Sequence, residues 1–383
     1  MDLTERIDRR RNRSSLNELI VDADSLNPAV HLQEPIGRET LFEALLDAID
    51  PLFDRATPPN VYVWGPEGSG KSAIVTALIS ALDSELTGGQ SFYTATRGES
   101  DQGEVRFVYL DARQATSEFR IYRQLLDSLR AESVPERGVS TEMLREQITS
   151  VVSASETVQI AVDHLGEPKT IDLEDLYGLF EPFDGLSWIG IGRTPPEELP
   201  FPMPEQQIHV PAYTYELVDV LTVRGSRGLS HTLDHTHAQR LADWADGDAH
   251  DALAAMFVAA ANAEANDATR LRNEDIEVGM EAVPRDGVPI GRVLALSDNE
   301  QLVLERLLDR SRGGHDSIDT TAEHIADETD LTSGTVKRLL YELAQFGVLE
   351  RREVPIGAQM DGRQPSTVTP NFSAPLFQQL RDG

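Results

Sequence analysis

The chain has 383 residues, 40% of them hydrophobic, and carries 65 acidic against 34 basic side chains, a formal net charge of -31. That length and apolar content suit two or three domains with cores of their own. The lack of cysteine excludes a disulfide framework and thiolate chemistry. The longest apolar run, Ala252 to Ala261, is well short of the ~18 residues a membrane span needs. With no apolar signal-peptide centre near Met1, the expected location is the cytoplasm, with no membrane partner. Lysine is nearly absent: Lys71, Lys169 and Lys337 are the three in the chain. Acid excess with so little lysine points to high salt, where carboxylates keep a surface hydrated and their repulsion is screened. The same charge repels nucleic acid at low salt, so any DNA contact must come from local basic or polar patches.

In chain order, residues 1–20 read as a flexible tail. Its "RIDRRRNR" segment, Arg6 to Arg13, is either a solvated end or a basic arm for DNA phosphates. The spacing of Leu41, Leu45, Ile49 and Leu52 predicts a helix over 38–53. Apolar runs at 61–64, 105–110, 158–162, 188–191 and 207–210 then predict strands. Helical stretches at 71–83, 118–131, 141–153 and 173–181 lie between them. That alternation implies an α/β core built on a mostly parallel sheet covered on both faces. The polar, glycine-rich segment 84–104 reads as an excursion and "PPEELPFPMPEQ" as a connector. From Thr214 to Ala282 four helices are expected, 215–226, 236–246, 249–263 and 273–282, with Asn273 capping the last. A small separate domain follows.

The segment "GPEGSGKS", Gly65, Pro66, Glu67, Gly68, Ser69, Gly70, Lys71 and Ser72, matches G-x-x-x-x-G-K-[ST] and stands between a predicted strand and a predicted helix. Its glycines let backbone N–H groups turn inward onto phosphate oxygens, with a helix N-terminus adding positive potential. Lys71 would reach the β/γ phosphates of ATP or ADP, and Ser72 would ligate Mg²⁺. Asp163 ends the run "VQIAV" and is the expected second metal-binding acid. An ATPase usually places another acid next, and here the residue is His164. As a catalytic base it is shorter in reach than glutamate and is prone to carry charge beside carboxylates. Glu167 is an alternative.

Toward the C-terminus, helices over 321–328 and 334–346, separated by "TDLTS" and with Ser333 as N-cap, have a helix-turn-helix rhythm. Ser333, Thr335, Lys337 and Arg338 would face double-stranded DNA. Two strands, "GVLERREV" and "STVTPNF", would flank a wing tip carrying Arg363, a candidate for the minor groove. From His315 on there are six Lys/Arg against eleven Asp/Glu. Docking of protein rather than DNA is therefore the competing use. The histidines of "HTLDHTH" read as a solvated inter-helix loop rather than a metal site.

In order, "EPIGRE", the phosphate loop, a strand ending in Asp, "WIGIGR", "VPAYTYELVDVL" and "DGDAHDAL" resemble the archaeal initiators related to the origin-recognition complex and cell-division-control protein six, within the AAA+ ATPases. The resemblance covers about residues 15 to 372. It implies an AAA+ core over 21–212, an α-helical lid over 213–285 and a winged helix over 286–383. It also implies ATP between core and lid, origin DNA as partner, and a replicative helicase or other initiator proteins as further partners. The departures from the family gather at hydrolysis. The family's Asp-Glu is Asp163-His164, its sensor-one polar residue aligns with Arg193, and its sensor-two arginine aligns with His250. The segment before "VPAYT", where the family presents an arginine to a neighbouring nucleotide, has none. Tyr213 and Tyr215 stand where an adenine would stack, or else pack. Nucleotide binding with slow or absent hydrolysis is the expectation. Against it stand a transcriptional or chromosomal regulator with a structural nucleotide, and an active ATPase with atypical residues.

Overall fold

Five short apolar runs become five parallel strands in the computed structural model: β1 (Val61–Trp64), β2 (Val105–Asp111), β3 (Thr157–Leu165), β4 (Leu186–Gly192) and β5 (Gln206–His209). The structure describes residues 18–86, 105–130, 133–135, 138–155, 157–310, 317–353 and 366–382. The arginines from Arg6 to Arg13, the glycine-rich stretch from residue 87 to 104 and Arg363 with its wing tip lie outside them. The chain divides into two units, one spanning His31–Thr214 and the other combining the chain up to Val30 with that from Tyr215 on.

In the first unit the strand order is β2-β3-β4-β1-β5. Strands β3 and β4 are buried along almost their whole length, which is why they read as continuous apolar runs instead of alternating ones. Successive side chains still go to opposite faces. Val61, Val63, Ile189 and Ile191 pack under Ile74 and Leu78 of the helix Lys71–Leu86. Tyr62, Ile160 and Trp188 face the helices Glu118–Leu129, Thr141–Ala154 and Leu173–Phe180. The helix expected over 38–53 is α-helical from Glu39 to Ala48 and continues as a 3-10 turn over Asp50–Asp54, where Pro51 has no N–H to extend the ladder. Strand β3 runs three residues past its expected end at Val162. The extension carries a register shift against β4 between Val162 and Leu165, and His164 sits there with φ +64°. Bulges of this kind re-aim side chains.

The second unit holds the helices Glu216–Gly228, His235–Ala245, Ala249–Ala265 and Asn273–Glu281. Residues 21 to 30, placed with the core by sequence, belong here instead. Arg224, buried in the helix Glu216–Gly228, donates to Asn27 O at 2.5 Å and Val30 O at 2.7 Å, and Glu264 accepts from the N–H groups of Leu19 and Ile20. A bridge between Ile20 and Leu229 completes the seam. Arg272, not Asn273, is the N-cap of the last of these helices, because the Asp275 carboxylate accepts from Arg272 N at 3.0 Å.

Further along come the helices Ile290–Leu294 and Asp298–Arg310, neither drawn from sequence. The helix expected over 321–328 begins earlier, at Ile318, because the Ser317 hydroxyl accepts from Thr320 N. Thr332 rather than Ser333 caps the helix Ser333–Gln345, by accepting from Thr335 N. The antiparallel pair β6 (Leu349–Glu353) and β7 (Ser366–Pro370) and a final helix, Ala374–Asp382, follow.

Candidate nucleotide-binding site

Strand β1 ends at Trp64, in register with Gly192 of β4 and His209 of β5. The loop 65–70 therefore leaves at the carboxyl edge of the sheet, where open parallel sheets take ligands. Gly65 has φ +152°, and a Cβ there would lie 2.1 Å from Val210 O. Gly70 has φ +88°, and a Cβ there would lie 2.7 Å from the Tyr213 hydroxyl. Both positions accept glycine alone, and the resulting curl wraps around the Lys71 ammonium. That group donates to Gly65 O at 2.9 Å, Pro66 O at 2.5 Å and Ser69 Oγ at 3.3 Å. With the N-terminus of the helix Lys71–Leu86 opening behind it, the cradle fits a polyphosphate.

A residue not singled out from sequence braces this loop. Arg38, 5% exposed, donates to Ser69 O and Pro211 O, both at 2.9 Å, and its guanidinium lies 3.6 Å from the centre of the Tyr213 ring. Tyr213 is buried, covered by Arg38 on its ring and set against Gly70 at its hydroxyl. Within this unit it supports the loop and does not offer a ring for stacking. The box "EPIGRE" was visible in the sequence, but the contact between Arg38 and a loop 31 residues away was not.

Asp163 lies 1% exposed beside Asp111 of β2. It accepts from the Tyr109 hydroxyl at 2.6 Å, from its neighbour's backbone His164 N at 2.7 Å, and from the Ser72 hydroxyl. Burial pushes its carboxyl up. The His164 charge and the hydroxyls of Ser72 and Tyr109 outweigh burial, and the group stays ionised below the usual carboxylate range. Ser72 and Asp163 thus meet, and their oxygens are the donor type that Mg²⁺ takes.

His164 lies between two acids. Its Nε2 is 3.6 Å from Asp163 Oδ2 and its Nδ1 is 3.0 Å from Glu167 Oε1. Burial draws its pKa down, but the Asp163 charge and the Glu167 hydrogen bond overcome that and hold it above the ordinary imidazole value. Glu167 is brought back by the turn in which Thr170 donates to His164 O at 2.9 Å. Its carboxyl is raised by burial and lowered further by His164 and Arg193, with a net shift downward. Arg193, just beyond β4, donates to Glu167 Oε1 at 2.9 Å and grips Glu67 through two hydrogen bonds, at 2.5 and 2.9 Å. Arg113, whose side chain makes three hydrogen bonds to the Asp111 carboxylate, adds a further cation. Arg113 and Tyr109 were missed by sequence reading, since nothing in "VYLDAR" says which way β2 presents them.

In the other unit His250 Nε2 accepts from Ile290 N at 3.0 Å and its Nδ1 faces Asp251 Oδ1 at 3.2 Å, so both ring nitrogens are engaged locally. Asp248, His250 and Asp251 are the one group of metal-ligating type that converges among the described residues, whereas the "HTLDHTH" side chains do not. Asp234 of that segment caps the helix His235–Ala245. At the helix-turn-helix, Ser333 and Arg338 are exposed and Thr335 and Lys337 half-buried. Lys337 pairs with Asp319, and Arg338 with Glu342 at 2.7 Å. No helix among the described residues is long and apolar enough to cross a membrane.

Residues 34–266, more than half of the chain, match the family described as AAA ATPase domain. ORC1-type DNA replication protein 3 of Haloarcula marismortui is 24% identical over 337 residues, covering 82% of this chain and 84% of that protein. ORC1-type DNA replication protein 1 of Sulfurisphaera tokodaii is 26% identical over 152 residues. That match spans 39% of this chain and 34% of the relative. Among solved structures, the Aeropyrum pernix ORC1 protein in complex with DNA superposes with a TM-score of 0.62 at 20% identity, over 94% of this chain and 96% of that one.

Proposed function

The chain belongs to the AAA ATPase family, in its archaeal ORC/Cdc6 branch, and on that premise we propose that it is a DNA-binding protein of replication-initiator type that holds ATP or ADP with Mg²⁺ and scarcely hydrolyses ATP. Backbone N–H groups of the loop and Lys71 bind the phosphates, and Ser72 and Asp163 hold the metal. Mg²⁺, when bound, neutralises phosphate charge.

The observation that carries the reading is the setting of His164. Hydrolysis needs a group that takes a proton from water. An imidazole whose two nitrogens face the carboxylates of Asp163 and Glu167 is engaged by acids on both sides and is poorly placed to take a proton from water. Glu167 is nearby, but His164 and Arg193 lower its proton affinity, which makes it a weak base. Retention makes no such demand.

The C-terminal helix-turn-helix and strand pair act as a winged helix on double-stranded DNA, with Ser333, Thr335, Lys337 and Arg338 on the contacting helix. Support comes from the Aeropyrum relative, solved on DNA. The pairs Lys337–Asp319 and Arg338–Glu342 are open to solvent, so a phosphate can displace the carboxylates at little cost. Net acidity and the Haloarcula relative fit work at high salt, where repulsion from DNA is screened.

The test uses the full chain in molar KCl with Mg²⁺. Labelled ATP should be retained, and phosphate release should stay near the background without protein. Rapid release, or no retention of label, overturns the proposal. Mapping of bound chromosomal sites should place the protein at origins; enrichment at promoters would favour a transcriptional regulator.

A further inference from the structure

A carboxylate on a loop built for anions is out of place, and Glu67 is such a carboxylate. It stands between Pro66 and Gly68, in the cradle that curls around the Lys71 ammonium. Its charge is compensated from outside the loop by Arg193, through the two-pronged contact at 2.5 and 2.9 Å. We propose that Glu67 is a specificity-determining residue: an internal anion that competes with the terminal phosphate of the nucleotide for Arg193, and so sets how strongly the site prefers a triphosphate to a diphosphate. The inference rests on the nucleotide reading given above.

Three features make the exchange workable. The Glu67 and Arg193 side chains are 31% and 40% exposed, and an ion pair that open to water is weak enough to be traded. Arg193 is also tethered to Glu167, 7% exposed, through a separate hydrogen bond at 2.9 Å, so letting go of Glu67 does not cast the guanidinium loose. Finally, Glu167 Oε2 is buried with no hydrogen-bond partner among the described residues. It is a spare acceptor to which Arg193 can turn an N–H freed from Glu67. A diphosphate leaves the Glu67–Arg193 contact intact. A triphosphate has to break it and to sit near the released carboxylate.

The test measures equilibrium affinity for ATP and for ADP, each with Mg²⁺ in molar KCl, with the full chain and four variants: Glu67→Gln, Glu67→Ser, Arg193→Gln, and Glu67→Gln combined with Arg193→Gln. Either Glu67 substitution should raise the ATP-to-ADP affinity ratio about fivefold, the upper end for an ion pair open to solvent. Arg193→Gln should lower the ratio, and in that background Glu67→Gln should add little. An unchanged ratio in both Glu67 variants overturns the inference, as does an equal gain with and without Arg193. A wild-type protein that binds neither nucleotide removes the underlying reading instead.

Discussion

The phosphate-loop region and the helix-turn-helix region both set basic side chains against carboxylates, with opposite energetic weight. Around the loop, Asp163 is 1% exposed, and it and its partners Ser72, Tyr109 and His164 are fixed by strand ends and a bulge. At the helix-turn-helix, Lys337 and Arg338 meet Asp319 and Glu342 with side chains 33–69% exposed. Burial turns the first set into a shaped electrostatic centre. Solvent leaves the second worth at most about 1 kcal/mol per pair. A protein with an excess of acid can therefore still hold an anion at one place. What counts is where its few cations are desolvated and aligned.

The comparison breaks first at Gly65. Gly65→Ala pushes a Cβ to within 2.1 Å of Val210 O, a backbone carbonyl with no side-chain freedom to yield, at a φ that L residues avoid. The expected cost is about 4 kcal/mol, read from denaturant unfolding in high salt; a loss below about 1 kcal/mol means the loop is not so confined. Next comes Lys71→Ala, which should weaken ATP binding about 100-fold, equivalent to about 2.7 kcal/mol. Affinity within a factor of three of wild type would sever the loop from nucleotide.

The folded pKa of His164 is raised, so its stabilising contribution is complete below the ordinary imidazole value of about 6.5 and is lost as pH rises through the folded value. Asp163 and Glu167 are lowered, so theirs is present above the ordinary carboxylate range and fades in acid. Melting temperature followed from pH 6 upward should fall, and His164→Asn should flatten that limb. A slope identical in the variant assigns the alkaline loss elsewhere. The smallest effect belongs to the other region. Lys337→Ala with Arg338→Ala should shift stability by less than about 0.5 kcal/mol, yet reduce the salt dependence of DNA binding by about two phosphate contacts. An unchanged salt slope would move the DNA contact off this helix.

The sequence announced whatever depends on neighbours along the chain. All five strands fall within three residues of their predicted ends; β3 and β4, buried along almost their whole length, leave unbroken apolar runs, whereas the edge strand β5 buries Ile208 alone. The motif 65–72 was legible because it joins a strand to a helix, and Asp163 because it closes an apolar run. The partners of Arg193 were not, because Glu67 and Glu167 are 126 and 26 residues away and meet it where β1, β3 and β4 end together. His164 was visible as a departure, but its position between two acids depends on a left-handed φ at a bulge, which no periodicity signals. The contact of His250 with Ile290 N, 40 residues along the chain, likewise left no mark in the sequence. The helix Asp298–Arg310 went undrawn although Val303, Leu304, Leu307 and Leu308 carry helical spacing.

Because residues 18–30 are sewn onto the helix Glu216–Gly228, the nucleotide unit is an insertion within the other unit, entered and left through separate crossings of the polypeptide. A fragment starting at Tyr215 would strand the Arg224 guanidinium without the two carbonyls that receive it. On the ribosome, likewise, the amino-terminal piece must wait for more than 180 later residues before its seat exists. Anyone dissecting this molecule needs to carry the opening residues along with its tail end, joined by a linker in place of the excised middle.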